Sequence, residues 1–362
     1  MRSDVDGQVP RAFRALRVLT LLIWMLGTFA LLDHLLLYPV EVGTGPNRDF
    51  VVELSAKPDL QEVAEILSKH QVVTDKAKWL RMMRLLQSEC CLRSGWVALN
   101  RALSPLALMP RVIVGRGSSN VTLNIPEGFT RFDAATRLAR FGVAQRPDFL
   151  AATVRASFLA RLNIEAPSVE GYLFPATYTF EQGSGGEAVV SRMVTAFRNQ
   201  TRAAFNRLAE SRSSQRLPLT DHETLILASI VEREAQRAEE RPIIAGVFVN
   251  RLADPTFRPH RLQADPTVAY GCLAEPDSAP TCSAFDGRHI TPAMVRDPQN
   301  PYNTYRIEGL PPGPISNPGL ASIEAAIAPM SHDYFYFVAT GGGRHSFSRT
   351  LDEHNARIHG AP

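Results

Sequence analysis

The sequence has little net charge, few cysteines and no internal repeat. The formal net charge is only +3, and no basic cluster is interleaved with aromatic residues, so the sequence does not indicate a nucleic-acid partner. The 4 cysteines fit no zinc-site spacing, and no repeat occurs at a solenoid period. What remains is an ordinary composition over 362 residues, which is enough chain for two or three domains with hydrophobic cores.

The cysteines fall into two pairs. Cys90 and Cys91 are adjacent, and adjacent residues seldom bridge each other without strain. Cys272 and Cys282 flank a short loop rich in proline, alanine and acidic residues. These two form a local disulfide if the chain is exported to an oxidising compartment and stay reduced otherwise, and both outcomes remain open.

The N-terminal region has the pattern of a membrane anchor. Residues 1–17 contain four arginines, and the apolar run at residues 18–40 is broken only by Asp33 and His34. A helix of this length crosses a bilayer core of roughly 30 Å, and the preceding arginines favour a cytoplasmic N-terminus. The alternative, a cleaved signal peptide, lacks a clear small-x-small site. We therefore predict an uncleaved single-pass helix, with the rest of the chain outside the cytoplasm.

Residues 48–130 have the pattern of a small mixed module. A short alternating strand is predicted at 49–54, followed by helices at 59–68 and 77–87, and by strands at 112–114 and 121–125. A strand–helix–helix–strand order suits a carbohydrate-binding module on a membrane stalk. A spacer domain without a ligand is the alternative.

A later segment places two glutamates at the end of an apolar helix. Thr220 and Glu223 have capping-box spacing, which predicts a helix that begins near Asp221 and reaches Glu232 and Glu234. A second helix is predicted to begin near residue 242, where a proline suits the first turn.

Glu234 is the stronger candidate for acid–base chemistry. It shares a helical face with Leu227, Ile230 and Val231, so we expect it to be partly desolvated. Burial raises the pKa of a carboxyl group, and a carboxyl that stays protonated near neutral pH can act as a general acid. Glu232 is rotated from Glu234 by roughly 160–200°. The alternative is that both glutamates are solvated at a frayed helix end.

The C-terminal part of the chain predicts rigid loops around a hairpin. Prolines and glycines are frequent there, and so many restricted residues indicate ordered turns that can hold polar side chains for recognition. A short helix is predicted at 322–328 and a buried strand at 334–339, with a hairpin partner at 345–348. The aromatic segment at 170–180 suits either a glycan groove or core packing.

Six stretches, in order, resemble the YceG-like family, the MltG-type endolytic murein transglycosylases. They are EGYLFPATYTF at 170–180, ILASIVEREA at 226–235, GVFVNRL at 246–252, RLQADPTVAYG at 261–271, YNTYRIEGLPPGPISNPG at 302–319 and YFYFVATGGGRHSFSRTLDEHN at 334–355. VTLNIPEGFT at 121–130 is similar to the end of that family's LysM-like subdomain. The resemblance implies an α+β architecture with a tail at 1–17, a transmembrane helix at 18–40, a LysM-like module at 48–130 and a catalytic domain at 131–356.

The resemblance also implies an activity. It is cleavage of peptidoglycan glycan strands between N-acetylmuramic acid and N-acetylglucosamine, which leaves 1,6-anhydro-muramoyl ends and needs one catalytic carboxyl and no metal or cofactor. That carboxyl falls in the IVEREA run, where we favour Glu234 and keep Glu232 as the fallback. The catalytic domain is expected in the periplasm on the inner membrane, and peptidoglycan synthases are the protein partners considered.

Supporting residues follow from the same resemblance. The family match suggests Asn250, Gln263, Asp265, Tyr302, Asn303 and Tyr305 as residues that line the site or orient the substrate. Asp265 is either the second carboxylate of a hydrolytic muramidase or part of an Asx-type turn before Pro266. His345 and His354 are candidate metal ligands, but no further ligands occur at sensible spacing, which favours a metal-free site. A glycan-binding scaffold without activity is the non-enzymatic alternative.

Overall fold

A computed structural model describes residues 11–47, 49–55, 57–92, 94–113 and 120–360. The chain divides into two compact units: unit 1 extends to Asn120 and includes Glu181–Gly183, and unit 2 comprises Val121–Phe180 and the residues from Ser184 on. Both units contain helices and strands, which confirms the predicted α+β class. The predicted domain division lies at residue 130, whereas residues from Val121 on belong to unit 2.

Unit 1 contains the predicted first strand and the two predicted helices, followed by a strand that was not predicted. Its elements are α1 Arg11–Leu32, β1 Asp49–Leu54, α2 Leu60–Lys69, α3 Lys76–Leu85, β2 Gly95–Asn100 and α4 Pro105–Ile113. β1 and β2 are antiparallel, with Asp49 opposite Asn100. Asp59 and Asp75 cap α2 and α3 by accepting backbone N–H groups of the first turn, which explains why both helices begin where the sequence predicts. The fully buried Trp79 lies at the centre of the core.

The predicted strand at 112–114 is wrong. Val112 and Ile113 form the last turn of α4, and Val114 lies outside the described residues. Leu108 and Val112 are both buried and lie one helical turn apart, so a helix places both in the core. The short apolar run that predicted a strand is the end of this helix. β2 was not predicted, because its pairing with β1 depends on residues far away in the sequence.

The N-terminal helix ends earlier than the apolar run. α1 stops at Leu32, and the chain continues as a π-helical segment at Asp33–Leu37 and a 3₁₀ turn at Tyr38–Val40, in which Tyr38 is buried. Asp33 Oδ2 lies 2.6 Å from Lys78 Nζ, so the end of the run contacts α3. Among the residues described, no helix has the length and apolarity needed to cross a membrane. The predicted span at residues 18–40 is therefore not confirmed.

Unit 2 holds two hydrophobic clusters. Its elements are β3 Asn120–Asn124, α5 Arg131–Arg140, α6 Arg146–Val154, α7 Ala156–Arg161, β4 Thr177–Glu181, α8 Gly186–Ser211, α9 Asp221–Glu234, α10 Arg241–Ala253, α11 Asp265–Ala274, α12 Pro292–Arg296, α13 Leu320–Ile327, β5 Tyr336–Gly341, β6 Arg344–Ser348 and α14 Leu351–Ile358. One cluster lies between β3, β4, α5, α6 and the start of α8, and the other surrounds α9, α10 and α13. The predicted hairpin and the short helix before it are confirmed as β5–β6 and α13, but β5 is half-buried to exposed and not the buried strand that was predicted.

α9 begins as its sequence predicts. Thr220 and Glu223 form a reciprocal capping box: the Thr220 hydroxyl accepts the backbone N–H of Glu223, and the Glu223 carboxylate accepts the backbone N–H of Thr220. α10 follows at Arg241, with Pro242 in its first turn. The short connection between the two helices fixes where the end of α9 lies relative to α10.

Two open questions from the sequence are resolved in unit 2. Tyr178 and Phe180 are buried in the first cluster, so the aromatic segment packs in the core. Cys272 and Cys282 form a disulfide, with Cα atoms 4.9 Å apart. The bridge closes the loop that follows α11.

Candidate active site

The second cluster of unit 2 carries a cleft of about 450 Å³ above the end of α9. Its polar and aromatic lining residues are Glu234, Arg251, Gln263, Asp265, Tyr305, Tyr336, His345 and His354. β5 contributes Phe337, Val338 and Ala339 to the lining, and α14 contributes Leu351, His354 and Ile358. Residues far apart in the sequence therefore meet around a single glutamate.

Glu234 is the last residue of α9 and is partly exposed to the cleft. Leu227, Ile230 and Val231 are all buried on the same helical face, as the sequence predicts. Burial raises the pKa of Glu234 to about 7, the charge of Asp265 adds to that rise, and nearby Arg251 opposes it. A substantial fraction of Glu234 is therefore protonated at neutral pH, unlike a solvated carboxylate at a frayed helix end.

Glu232 lies on the other side of α9 and does not line the cleft. Its Oε2 accepts hydrogen bonds from the Gly319 backbone N–H at 3.1 Å and from the Ser322 hydroxyl at 2.7 Å. Arg241 lies 3.7 Å from its other oxygen. Glu232, the fallback candidate, thus links α9 to the first turn of α13 and has a structural role.

Gln263, Asp265 and Tyr305 come together in the cleft. The Tyr305 hydroxyl donates to Asp265 Oδ1 at 2.7 Å, and burial together with that carboxylate raises the pKa of Tyr305 above its ordinary value. The buried Thr304 holds the loop, because its carbonyl accepts the Gln263 N–H and its hydroxyl accepts the Ala264 N–H. Gln263 adopts a left-handed φ of 55°, a strained backbone of the kind that clusters at functional sites.

Tyr302 and Asn303 do not reach the cleft. Asn303 is fully buried, and its Nδ2 donates to three carbonyls at the end of α12, of Met294, Val295 and Asp297. The Tyr302 ring packs edge-on against Tyr270, with ring centroids 5.0 Å apart. Both residues hold the loop that presents Tyr305.

Asn250 also lies away from the cleft. It is buried on α10, and its Nδ2 donates to the carbonyls of His332 at 2.9 Å and of Tyr334 at 2.8 Å. Its Oδ1 accepts from Arg216 at 2.5 Å. These bonds place the segment that enters β5, so Asn250 acts on the cleft only through the strand it positions.

Arg251 is a cleft residue that the sequence analysis missed. Its Nε donates to the Phe335 carbonyl at 2.7 Å and its Nη1 donates to the Leu262 carbonyl. Burial lowers the pKa of Arg251 to about 10, which leaves it a cation at neutral pH. The motif at 246–252 includes Arg251, but nothing in the sequence indicates that Arg251, and not its neighbour Asn250, reaches the cleft.

Glu170 is a second carboxyl with a raised pKa, but it is sealed in the interior. It is 1% exposed and accepts hydrogen bonds from the Arg131 backbone N–H, the Asn317 side-chain amide and the Tyr270 hydroxyl. Burial raises the pKa of Glu170 to about 7 despite these donors. Because it has no access to the cleft, it joins elements rather than performing chemistry.

His345 and His354 both line the cleft. The His354 ring stacks on Tyr336 with centroids 5.4 Å apart, and burial and Arg251 lower its pKa. Within the described ranges no three histidine, cysteine or acidic side chains are placed to hold a metal ion together. The cleft therefore offers a protonated carboxyl, a carboxylate, a cation and aromatic rings, which suits acid catalysis on a polar, ring-containing ligand.

The chain is similar to known proteins. The sequence profile of the YceG-like family matches residues 52–360. The chain belongs to the YceG-like family. The crystal structure of a YceG-like protein from Listeria monocytogenes superposes with a TM-score of 0.55 at 31% identity, covering 86% of this chain and 100% of that one.

Two relatives of this YceG-like protein carry a functional name. The endolytic murein transglycosylase of Bacillus subtilis is 27% identical over 337 residues, which is 88% of this chain and 86% of the relative. The endolytic murein transglycosylase of Streptococcus pneumoniae is 27% identical over 299 residues, 74% of this chain. The chain spans only 50% of the length of that second relative.

Proposed function

We propose that the protein is an endolytic lytic transglycosylase that cleaves peptidoglycan glycan strands between N-acetylmuramic acid and N-acetylglucosamine. The observation that carries this proposal is Glu234, a carboxyl with a pKa near neutrality at the border of an open cleft. The two relatives named endolytic murein transglycosylase support the reaction type. Aromatic side chains in the cleft, Tyr305 and Tyr336, suit the apolar faces of sugar rings.

Glu234 performs both proton transfers. Its protonated carboxyl donates to the glycosidic oxygen as the bond between that oxygen and C1 of the muramoyl sugar breaks. The C6 hydroxyl of the same sugar then forms a bond to C1, and its proton returns to the Glu234 carboxylate. The enzyme is regenerated, no water is consumed, and the product ends in a 1,6-anhydro-muramoyl group.

Arg251 and Asp265 adjust this cycle electrostatically. Arg251 favours the carboxylate of Glu234 and Asp265 favours the carboxylic acid, so the two opposed charges hold the pKa where both forms are accessible. Tyr305 donates a hydrogen bond to Asp265 Oδ1 and so holds that side chain in place beside Glu234. One group can then serve first as acid and then as base.

A hydrolytic muramidase is the second candidate, because Asp265 lies in the same cleft as Glu234. An inverting or retaining hydrolase needs a second carboxylate to activate water or attack C1, and Asp265 is the carboxylate available. The two reactions leave different ends. Mass spectrometry of muropeptides released from purified sacculi by the full chain tests the proposal: anhydro ends support a transglycosylase, and reducing ends would replace it with a hydrolase.

We also infer that α1 attaches the protein to the inner membrane, with a cytoplasmic N-terminus and a periplasmic unit 2. The arginines before the apolar run support this orientation. Large apolar side chains of α1, such as Trp24 and Phe29, are exposed, which supports burial in lipid. Peptidoglycan synthases are the partners that such a location would bring into reach.

We infer a glycan-binding role for unit 1. Its two antiparallel strands precede and follow two capped helices in the sequence, and this order supports the expected LysM-like module. Binding of unit 1 to the strand that unit 2 cuts would keep the enzyme on its substrate between cuts.

A further inference from the structure

Glu240 and His345 form a buried pair at the edge of the cleft, and the mechanism above does not use them. His345 Nδ1 lies 2.7 Å from Glu240 Oε2, and the His345 backbone N–H donates to Glu240 Oε1 at 2.9 Å. The two side chains are 8% and 9% exposed. Burial raises the pKa of Glu240, but its hydrogen bonds from His345 outweigh that effect and bring the pKa below its ordinary value. Glu240 is therefore an ionised carboxylate, which can only accept hydrogen bonds.

The pair fixes which imidazole nitrogen is available to a ligand. Because Glu240 accepts at Nδ1, that nitrogen carries the proton, and in a neutral imidazole Nε2 is then the acceptor. Within the described residues, no protein group hydrogen-bonds to His345 Nε2, and His345 lines the same cleft as Glu234. The cleft thus contains an oriented imidazole nitrogen to which no described protein group is bonded.

The backbone around His345 is held firmly. In the β5–β6 hairpin His345 lies opposite Ala339, and the Arg237 guanidinium donates twice to the Gly342 carbonyl at the hairpin tip, at 3.1 and 2.8 Å. Arg237 and Glu240 both belong to the short connection that directly follows Glu234. The acid and the acceptor are therefore attached to one short segment.

We propose that His345 Nε2 accepts a hydrogen bond from a hydroxyl or acetamido N–H of the bound glycan, and that Glu240 positions the imidazole for this contact. This inference rests on the proposed function, because the ligand is the glycan strand that Glu234 cleaves. His345 touches substrate, whereas Glu240 acts through His345. The competing explanation is that the pair only fastens the hairpin.

Conservative variants separate the two explanations. His345→Asn retains an amide N–H near the Nδ1 position and removes the acceptor, whereas His345→Gln places an amide oxygen near the Nε2 position. Both variants keep the backbone N–H that Glu240 accepts. We expect His345→Asn to lower kcat/KM by about 10- to 100-fold, the range for loss of one buried hydrogen bond, with an unchanged melting temperature. His345→Gln should recover part of the loss.

Glu240→Gln tests the positioning role. The new amide N–H would donate to Nδ1, so the imidazole would carry its proton on Nε2 and offer a donor where an acceptor is needed. We expect a loss of kcat/KM similar to that of His345→Asn. Nitrogen-15 NMR of full-length protein labelled in histidine should show an unprotonated Nε2 for His345 in the wild type and a protonated one in Glu240→Gln. The His345 signals are assigned by their absence in His345→Asn.

Arg237→Ala is the matched control for hairpin fastening. It removes the two bonds to the Gly342 carbonyl and leaves the Glu240–His345 pair intact. We expect activity near that of the wild type. Wild-type kcat/KM in His345→Asn, or equal losses in His345→Asn and Arg237→Ala, would overturn the proposal, and so would a wild-type His345 that carries its proton on Nε2.

A binding measurement keeps this inference separate from the proposed function. The affinity for purified uncrosslinked glycan strands is compared between Glu234→Gln and the double variant that adds His345→Asn, neither of which is expected to cleave. Weaker binding by the double variant supports the His345 contact even if the wild type released no muropeptides, an outcome that would reject the proposed function alone. Equal binding by the two variants, together with full activity of His345→Asn, would reject the His345 contact alone.

Discussion

At the residue scale, the chemistry of the cleft depends on the burial, the hydrogen bonds and the cleft access of three acidic side chains. Glu234 and Glu170 both have a pKa raised to about 7 by burial, yet only Glu234 borders the cleft. Glu232 is bound by the Gly319 N–H and the Ser322 hydroxyl. A raised pKa therefore identifies a candidate only when the group can also reach a ligand.

Replacing the acid should abolish cleavage without unfolding the protein. Glu234→Gln keeps the volume of the side chain and removes its exchangeable proton, so we expect activity to fall by at least about 10²–10⁴-fold. Glu232→Gln is the control, because its amide oxygen can still accept from Ser322, and it should keep most activity. Release of anhydro-muropeptides measures both variants, with circular dichroism for folding. An active Glu234→Gln beside an inactive, folded Glu232→Gln would move the acid to Glu232.

The raised pKa of Glu234 also predicts a pH dependence. Only the protonated form donates, so kcat/KM should be lost progressively above about pH 7, approaching tenfold per pH unit. The stability effect has a definite sign: a carboxyl with a higher pKa in the folded state stabilises the fold at low pH, and this contribution is lost as pH rises from about 4.5 to 7.

A difference measurement isolates that contribution. The unfolding free energy of the wild type relative to Glu234→Gln should fall by about 3 kcal/mol between pH 4.5 and pH 8, from 1.36 kcal/mol per pKa unit. Glu170 titrates in both proteins and therefore cancels. A constant difference across this range would show that Glu234 is not desolvated.

Residue types in a motif do not reveal which side chains reach the ligand. Tyr302, Asn303 and Tyr305 stand within four positions of one another, yet Tyr305 lines the cleft and the other two are buried supports. The difference comes from contacts with Tyr270 and with the end of α12, which no local pattern contains. In contrast, the burial of Leu227, Ile230 and Val231 was predictable from their apolar character and helical spacing, although every residue of α9 from Thr224 to Val231 is buried.

At the element scale, Glu170 joins parts of unit 2 that are distant in the sequence. Its carboxylate accepts from the first turn of α5, from Tyr270 on α11 and from Asn317 before α13. Glu170→Ala would leave these buried donors without partners, at roughly 1–3 kcal/mol each. We expect the unfolding free energy to fall by about 3–5 kcal/mol, measured by urea denaturation.

The exposed Glu165 provides the control for that prediction. It belongs to the same connection between α7 and β4, and Glu165→Ala should change the stability by no more than about 0.5 kcal/mol. Equal stability of the two alanine variants would mean that Glu170 does not join these elements.

The disulfide acts at the same scale. Cys272 and Cys282 are separated by 10 positions, and closing so short a loop contributes roughly 2–3 kcal/mol on the chain-entropy model. Replacing both with serine should lower the melting temperature and leave the anhydro product unchanged, because neither cysteine lines the cleft. Free labelling of both thiols in native wild-type protein, or loss of the product in a folded double variant, would contradict this role.

At the scale of the whole molecule, local signals predicted the elements better than their assembly. Local patterns placed α2, α3 and α9 within a residue or two of their observed starts, and for α9 the pattern was a capping box. The pairings β1–β2 and β3–β4 join segments far apart in the chain, and no spacing within either segment specifies its partner.

Membrane attachment is a property of the whole chain, and α1 provides its test. The exposed apolar side chains of α1 should keep the wild-type protein in the membrane pellet after alkaline carbonate extraction of cells. Replacing both Leu22 and Phe29 with arginine should release the protein from the membrane. Each arginine near the centre of a membrane helix raises the free energy of insertion by about 2.5–3.5 kcal/mol. Leu85→Arg is the control: the exposure of Leu85, 63%, lies between the 50% of Leu22 and the 69% of Phe29, but Leu85 lies on α3, so the variant should stay in the pellet. A wild-type protein that appears in the carbonate supernatant, or a Leu85→Arg variant released as readily as the α1 variant, would show that α1 is not the anchor.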